Sequence, residues 1–269
     1  MASSAQFTDE LRAPVAQRVL SKVPEVTVFF WIIKILATTV GETGADLLGE
    51  HAGLTTAQLI LVFVPLTAIV LFAQFRGPRY VPAIYWLAVV LISVVGTLIT
   101  DYLTDYRHIS LVTTTTIFAI ALAICFAAWW AKERTLSIHS IVTRSRESFY
   151  WLTVLLTFAL GTAAGDLTAE KINIGYWKSA LIFAGIIAVV FAAHRTLGLG
   201  PVISFWIAYV VTRPLGASLG DYLSQHRADG GLNLGTIVTS VIFLSAIAAT
   251  VTYLSVTKLD QIPLDELEV

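Results

Sequence analysis

Four aspartates recur at one position of a repeated sequence pattern. Each lies 15 residues after a tryptophan, and a glycine stands 10 residues after the same tryptophan, without gaps in any copy. The aspartates are Asp46, Asp101, Asp166 and Asp221; the tryptophans are Trp31, Trp86, Trp151 and Trp206; the glycines are Gly41, Gly96, Gly161 and Gly216. Carboxylate oxygens are the ligands that hard divalent cations prefer, and an acid inside an apolar segment is a functional candidate by default. The pattern predicts ion or proton handling at the aspartates, with structural ion pairing as the alternative.

Other acidic residues stand close to these aspartates. Glu42 precedes Asp46 by four residues, so a helix would place both on one face. A second set follows the aspartates at the same interval: Glu50, Asp105 and Glu170, with His51 beside the first of them. If the aspartate-bearing segments surround an axis, we expect a cation site at the aspartates and Glu42, and an outer vestibule at the second set. Oxygen ligands favour Mg²⁺, Ca²⁺ and Mn²⁺, whereas added imidazole shifts the preference towards Zn²⁺, Fe²⁺, Co²⁺ or Ni²⁺.

The composition places these acids in a membrane protein. Of the 269 residues, 57% are hydrophobic and only 13% are charged, whereas a soluble domain carries roughly 25% charged residues. This excludes a secreted enzyme, a nucleic-acid binder and a disordered scaffold. The net charge of −1 indicates no particular partner. The single cysteine, Cys125, excludes a disulfide framework and a thiolate metal cluster.

Apolar segments long enough to cross a bilayer define the elements that carry the pattern. The predicted spans are 26–48, 56–75, 81–103, 110–131, 148–168, 177–194, 202–223 and 233–257. Outside the spans, eleven Lys and Arg lie at the ends that include both termini and four at the opposite ends. The positive-inside rule then places both termini in the cytoplasm. The predicted fold class is an all-α integral membrane protein with eight transmembrane helices.

The tryptophan spacing of 55, 65 and 55 residues indicates a two-helix unit that was duplicated twice. We expect a cytoplasmic segment at 1–24, a first transmembrane half at 26–135, a second half at 136–257 and an acidic cytoplasmic tail at 258–269. Because each unit contains two helices, the four units should be parallel, with the odd-numbered helices in a pseudo-symmetric inner cluster. An aspartate 15 residues beyond its tryptophan lies roughly 22 Å further along a helix, near the outer interface.

The glycines and tryptophans have interpretations that involve packing alone. A small residue follows each glycine after four positions, which is the spacing that lets membrane helices approach closely. The tryptophans are interpreted either as an aromatic belt at the membrane interface or as packing wedges between repeats.

With these motifs the chain resembles a bacterial family of multi-pass membrane proteins built from four tandem repeats of unknown function. In that family each repeat has two transmembrane segments and a characteristic tryptophan. The resemblance covers about residues 26–257, and all four units fit it. It implies the eight-helix fold and brings no activity with it.

Two cations and a proline each interrupt the pattern in a single repeat. Lys34 and Arg213 precede the aspartates of their own helices by 12 and 8 residues, too far for pairing along one helix. Both Lys34 and Arg213 are therefore candidates for gating or for an ion pair with another helix, and the partner of Arg213 across the cluster could be Glu42. Pro214 predicts a kink or break in the seventh span, a feature of transporter binding sites.

The sequence therefore predicts a transporter or channel for a cation, with a divalent metal as the favoured substrate and proton coupling as an option. The alternatives are a proton-coupled carrier of a small organic solute and a structural membrane module. With neither a P-loop nor an HExxH motif, an enzyme is not expected. We expect no cofactor, a metal only as substrate, the bilayer and a cation or small solute as partners, and no nucleic acid. The expected location is a bacterial inner membrane.

Overall fold

The computed structural model describes residues 21–261, and this part of the chain forms eight α-helices and no β-strand. They are α1 (Val28–Ala52), α2 (Thr56–Arg76), α3 (Pro82–Asp101), α4 (Leu111–Glu133), α5 (Arg144–Asp166), α6 (Tyr176–Thr196), α7 (Pro201–Ser224) and α8 (Thr236–Thr257). Each is long and apolar enough to cross a membrane. The predicted all-helical fold with eight apolar helices is therefore confirmed.

Local sequence signals set several helix ends. Gly53 adopts a left-handed conformation with φ of 62°, which ends α1. Three residues later α2 begins with a capping box, in which Thr55 and Gln58 satisfy each other's backbone N–H groups. The Ser110 side chain accepts a hydrogen bond from the backbone of Thr113 and starts α4 in the same way. These short connections keep successive helices antiparallel.

Helices α1, α3, α5 and α7 form a closed inner ring, in which each packs against the next and α7 packs against α1. Between 56% and 72% of the most apolar part of these helices is buried, compared with 11–22% for the outer helices α2, α4, α6 and α8. The odd-numbered helices thus form the inner cluster that the sequence predicts.

The outer helices make few contacts with the inner helix of their own repeat. Helix α2 packs mainly on α3, α4 on α5, and α6 on α7, while α8 returns to pack on α1. Each outer helix therefore covers the inner helix of the following repeat, and the last repeat closes onto the first. The two-helix unit of the sequence is interleaved with its neighbours rather than folded as a separate hairpin.

The repeated glycines lie where neighbouring inner helices touch. A β-carbon added to any of them would overlap the side chain that stands seven residues after the tryptophan of the next repeat. The pairs are Gly41–Ser93, Gly96–Phe158, Gly161–Arg213 and Gly216–Thr38. Close helix packing accounts for the glycines at all four positions.

Gly41→Ala is expected to lower the free energy of unfolding by about 1–3 kcal/mol, because overpacking a close helix contact forces the neighbours apart. The new methyl group would lie only 2.7 Å from Cβ of Ser93. Gly44→Ala on the same helix is the matched control, since a β-carbon there meets no atom within 4 Å. We expect this control to be neutral or to gain up to about 1 kcal/mol from helix propensity. Denaturation of the detergent-solubilised protein measures both, and equal effects would contradict the packing assignment.

The repeated aromatic residues form a second cyclic set, the aromatic layer. The aromatic residue before each tryptophan contacts the tryptophan of the next repeat, with ring centroids 5.4–6.3 Å apart. The pairs are Phe30–Trp86, Tyr85–Trp151, Tyr150–Trp206 and Phe205–Trp31. Trp86, Trp151 and Trp206 are at most 5% exposed. The aromatic-belt interpretation is wrong for these three, which are packing wedges between repeats.

Helix α7 continues through Pro214 to Ser224, so of the predicted kink or break the break is not present. Proline lacks a backbone N–H and normally disturbs a helix at this point. Here Pro214 packs closely against α5 beside Gly161 and Gly165, which leave room for its ring. The small residues of α5 and the proline of α7 fit together as one contact.

Candidate functional site

The side chain of Arg213 lies in the middle of the inner ring and connects all four of its helices. It is fully buried, and it extends from α7. On α5 it donates to the backbone oxygen of Phe158 at 3.4 Å and to the hydroxyl of Thr162 at 2.7 Å. It also donates to the hydroxyl of Thr97 on α3 and to the backbone oxygen of Thr38 on α1.

Glu42 on α1 provides the charge that balances this guanidinium. Its Oε2 lies 2.9 Å from Nη2 of Arg213, and their side chains are 8% and 0% exposed. The contact predicted from the sequence between these two residues is therefore present. Glu42, Thr97 and Thr162 occupy equivalent positions in three repeats, so three polar side chains from one level of the ring converge on Arg213.

Glu42 also belongs to a group of three carboxylates with the spacing of a metal site. One oxygen each from Glu42, Asp166 and Asp221 lies within 4.8 Å of the other two. Oxygens that bind one Ca²⁺ ion lie 2.3–2.6 Å from it, so two of them on opposite sides are separated by roughly 5 Å. Glu42 and Asp221 are buried and Asp166 is partly buried. This acidic triad could hold a hard divalent cation without large movement.

The other two predicted aspartates lie next to the triad. The carboxylate of Asp101 lies within electrostatic range of Glu42, Asp46 and Asp105. The structure thus brings the five predicted cation-binding residues to one end of the inner ring as a carboxylate cluster: Glu42, Asp46, Asp101, Asp166 and Asp221. Glu42 and Asp221 are buried and the other three are partly buried, and like charges so close together repel one another.

The predicted outer vestibule is only partly described. Asp105 is exposed and lies in a π-helical turn, Tyr102–Tyr106, that continues α3 beyond Asp101. The i,i+4 geometry of an α-helix therefore does not apply between these two acids. A similar π-helical turn, Leu167–Lys171, follows Asp166. The side chains of Glu50, His51 and Glu170 lie outside the described part of the structure.

Lys34 does not form the ion pair that the sequence suggested. Its side chain is fully buried, and Nζ has no hydrogen-bond partner among residues 21–261. Nζ lies instead 3.8 Å from the ring centroid of Phe158 and 4.2 Å from that of Tyr209. Lys34 precedes Glu42 by eight residues on α1, which places it roughly 12 Å nearer the aromatic layer.

The ring interior therefore has distinct levels from one end to the other. The carboxylate cluster is followed by Arg213 with its three polar partners, then by Lys34 between two rings, and finally by the aromatic layer. Two of the aromatic-layer residues, Tyr85 and Tyr150, are joined through their hydroxyl groups. The acids at one end are thus separated from the other end by two buried cations and a layer of rings.

A pentapeptide in α7 matches a hydrolase motif by spacing alone. Gly216 to Gly220 read GASLG, but a nucleophile elbow requires a turn between a strand and a helix. Ser218 lies inside the continuous helix α7 and is 1% exposed. Ser218 is therefore a residue packed inside the inner ring and does not have the exposed position of a nucleophile.

An apolar cavity lies beside the inner ring rather than within it. It has a volume of about 610 Å³ and lies between α6, α7 and the loop before α5. Phe191, Val202 and Phe205 line it, together with His139 and His194. It shares no residue with the carboxylate cluster, so the two are separate features.

Sequence reasoning identified the acids and Arg213 but assigned no role to Thr97 and Thr162. Their register was visible, since both stand where the first repeat has Glu42. What the sequence did not show is that Arg213 reaches this level from α7 and takes both hydroxyls as acceptors.

Four consecutive segments of the chain match the family model described as Repeat of Unknown Function (DUF347). The matched residues are 29–80, 84–135, 149–203 and 204–260. No curated protein and no solved structure matches the chain.

Proposed function

We propose that this chain, which belongs to the DUF347 repeat family, is a membrane carrier for a divalent cation that binds at the acidic triad. The observation that carries the proposal is the approach of the Glu42, Asp166 and Asp221 oxygens to within 4.8 Å inside the helix ring. Acids buried among membrane helices are costly and mark ion pathways. Three oxygen ligands suit a hard cation that keeps part of its water shell.

The cyclic contacts of the glycines and aromatic residues support a parallel, pseudo-symmetric arrangement of the four repeats. Such an arrangement brings the four aspartates to the same end of the ring. The distribution of basic residues then favours cytoplasmic termini, with the carboxylate cluster facing the outside of a bacterial inner membrane.

The position of Arg213 favours a carrier over a channel. A channel needs a continuous polar path, whereas Arg213 bonds to all three other inner helices across the middle of the ring. The aromatic layer blocks the path again beyond it. Glu42 is shared between Arg213 and the triad, so a bound cation would compete with the guanidinium and favour a rearrangement of the ring.

The apolar cavity supports a second candidate function, a proton-coupled carrier of a small organic solute. Its volume of about 610 Å³ lies within the range of small-molecule sites. In this alternative the carboxylates would relay protons and the cavity would hold the solute.

Flux measurements in proteoliposomes test the proposal. Mg²⁺, Ca²⁺, Mn²⁺ and Zn²⁺ would be supplied in turn, while metal uptake and internal pH are recorded together. For the transported cation, we expect Asp221→Asn to reduce flux at least about tenfold. Mutating even a residue that only hydrogen-bonds to a metal ligand typically lowers metal affinity or activity by about 10–100-fold. Asp229→Asn is the matched control, since Asp229 is exposed in the loop after α7, and it should transport as wild type does.

Absence of flux for every cation, with protein shown to be folded, would rule out the cation carrier. A proton current driven only by an organic solute would favour the second candidate instead.

A further inference from the structure

Lys34 is an unusual residue for the interior of a helix ring. Its ammonium group has three N–H donors and no acceptor among the described residues, although its side chain is 0% exposed. The rings of Phe158 and Tyr209 attract the charged form through their faces, but they do not replace the lost hydrogen bonds. The proton on Lys34 is therefore held by a weak set of interactions.

A second cation acts on Lys34 from close by. Cζ of Arg213 lies 5.6 Å from the centroid of the same Phe158 ring, and its charge repels that of Lys34. Arg213 stays protonated in proteins, whereas a lysine amine can lose its proton. Of the two buried cations, Lys34 is thus the one that can change its charge.

Arg213 also connects Lys34 to the acidic triad. Its guanidinium bonds to Glu42 Oε2, and Glu42 supplies one oxygen of the triad. A cation that binds Glu42 weakens this bond and leaves Arg213 less well neutralised. The repulsion between Arg213 and a protonated Lys34 then increases, although Lys34 contacts none of the triad residues.

We propose that Lys34 carries the proton that is exchanged for the transported cation. Lys34 is protonated when the triad is empty, and it loses one proton to water when a cation occupies the triad. The nitrogen keeps its electron pair as a neutral amine, and the proton leaves as hydronium. This inference rests on the proposed function and assigns its proton coupling to one residue.

Few of the charged or titratable groups on the surrounding helices act directly on Lys34. The helices around it carry these: Glu42, Asp46, Glu50 and His51 on α1; Tyr85 and Asp101 on α3; Arg144, Arg146, Glu147, Tyr150 and Asp166 on α5; Tyr209, Arg213, Asp221 and Tyr222 on α7; and Tyr253 on α8. Of these, Tyr209 touches Lys34 and Arg213 acts on its charge. Lys34→Arg keeps the buried positive charge, so carboxylates that lose protons on cation binding do so as in wild type, and a difference between the two isolates Lys34.

The experiment measures proton release when Mn²⁺ binds to the purified full-length protein in weakly buffered detergent solution. A pH-indicator dye reports the protons, and the electron paramagnetic resonance signal of free Mn²⁺ reports binding. Wild type is compared with Lys34→Met and with Lys34→Arg, which keeps a permanent charge. Lys178→Met is the matched control, because Lys178 is exposed at the start of α6.

We expect wild type and Lys178→Met to release about one more proton per bound Mn²⁺ than either Lys34 variant. In proteoliposomes, Lys34→Met should move Mn²⁺ without the change in internal pH. If Lys34→Met does not fold, the same comparison is made with Lys34→Arg alone.

Equal proton release by wild type and the folded Lys34 variants, with Mn²⁺ bound, would overturn this inference and leave the cation site standing. Absence of Mn²⁺ binding and flux in wild type, and of flux for the other cations, would overturn both the inference and the proposed function.

Discussion

Arg213→Met is expected to lower the free energy of unfolding by about 3–5 kcal/mol, because it leaves a buried carboxylate without its partner. The substitution keeps a long side chain but removes the bonds from Arg213 to Phe158, Thr162 and Glu42. The inner ring loses a side chain that connects all four of its helices. Denaturation of the solubilised protein, followed by circular dichroism, measures the change.

The double substitution Glu42→Gln with Arg213→Met should recover much of this loss. Replacing both members of a buried ion pair by neutral residues is often close to neutral, since no unpaired charge remains. Arg195→Met is the matched control, because Arg195 is exposed at the end of α6. A double variant that is no more stable than Arg213→Met alone would show that the guanidinium acts through its other contacts rather than through Glu42.

A saturating divalent cation is expected to stabilise wild type against unfolding by about 2.7 kcal/mol at a concentration 100 times its dissociation constant. The stabilisation follows from binding to the folded ring, where three carboxylate oxygens lie within 4.8 Å of one another. The double variant Asp166→Asn with Asp221→Asn should lose this stabilisation, since a neutral amide is a poor ligand for a hard cation. Denaturation midpoints with Mn²⁺ and with a chelator measure the effect.

The control for this experiment is Asp229→Asn, which removes an exposed carboxylate from the loop after α7. It should be stabilised by Mn²⁺ to the same extent as wild type. Equal stabilisation of the triad variant would place the bound cation elsewhere on the protein.

The repeats made much of the inner ring predictable. The eight helices could be predicted from hydropathy, because an apolar segment of about 20 residues is long enough to cross a bilayer as a helix. The register of the repeats placed Glu42 and Arg213 as two opposite charges within the spans of different repeats. Because an unpaired charge there is expensive, their contact could be expected.

Other features depended on interactions that hydropathy does not encode. The outer helices are apolar all round, so their sequences do not distinguish their own inner helix from the next one, on which they pack. From the sequence alone, a tryptophan at this position fits either the membrane interface or a contact between helices. The structure shows the helix contact for Trp86, Trp151 and Trp206, each of which packs on an aromatic residue of the preceding repeat.

Lys34 illustrates the limit of pairing arguments. A lysine within an apolar segment suggests an acidic partner, but the carboxylates lie further along the ring and Arg213 occupies the level between them. Two aromatic rings surround the ammonium instead. The π-helical turn after Asp101 is a second case, since its wider hydrogen-bond spacing arises at the end of the packed ring rather than from a sequence signal.

The most direct test of the cation site is an anomalous difference map from crystals of the full-length protein grown with Mn²⁺. The proposed function predicts a peak between Glu42, Asp166 and Asp221, at about 2.1–2.3 Å from a carboxylate oxygen of each. A peak at another position, or a map without a peak from protein that transports Mn²⁺ in proteoliposomes, would contradict it.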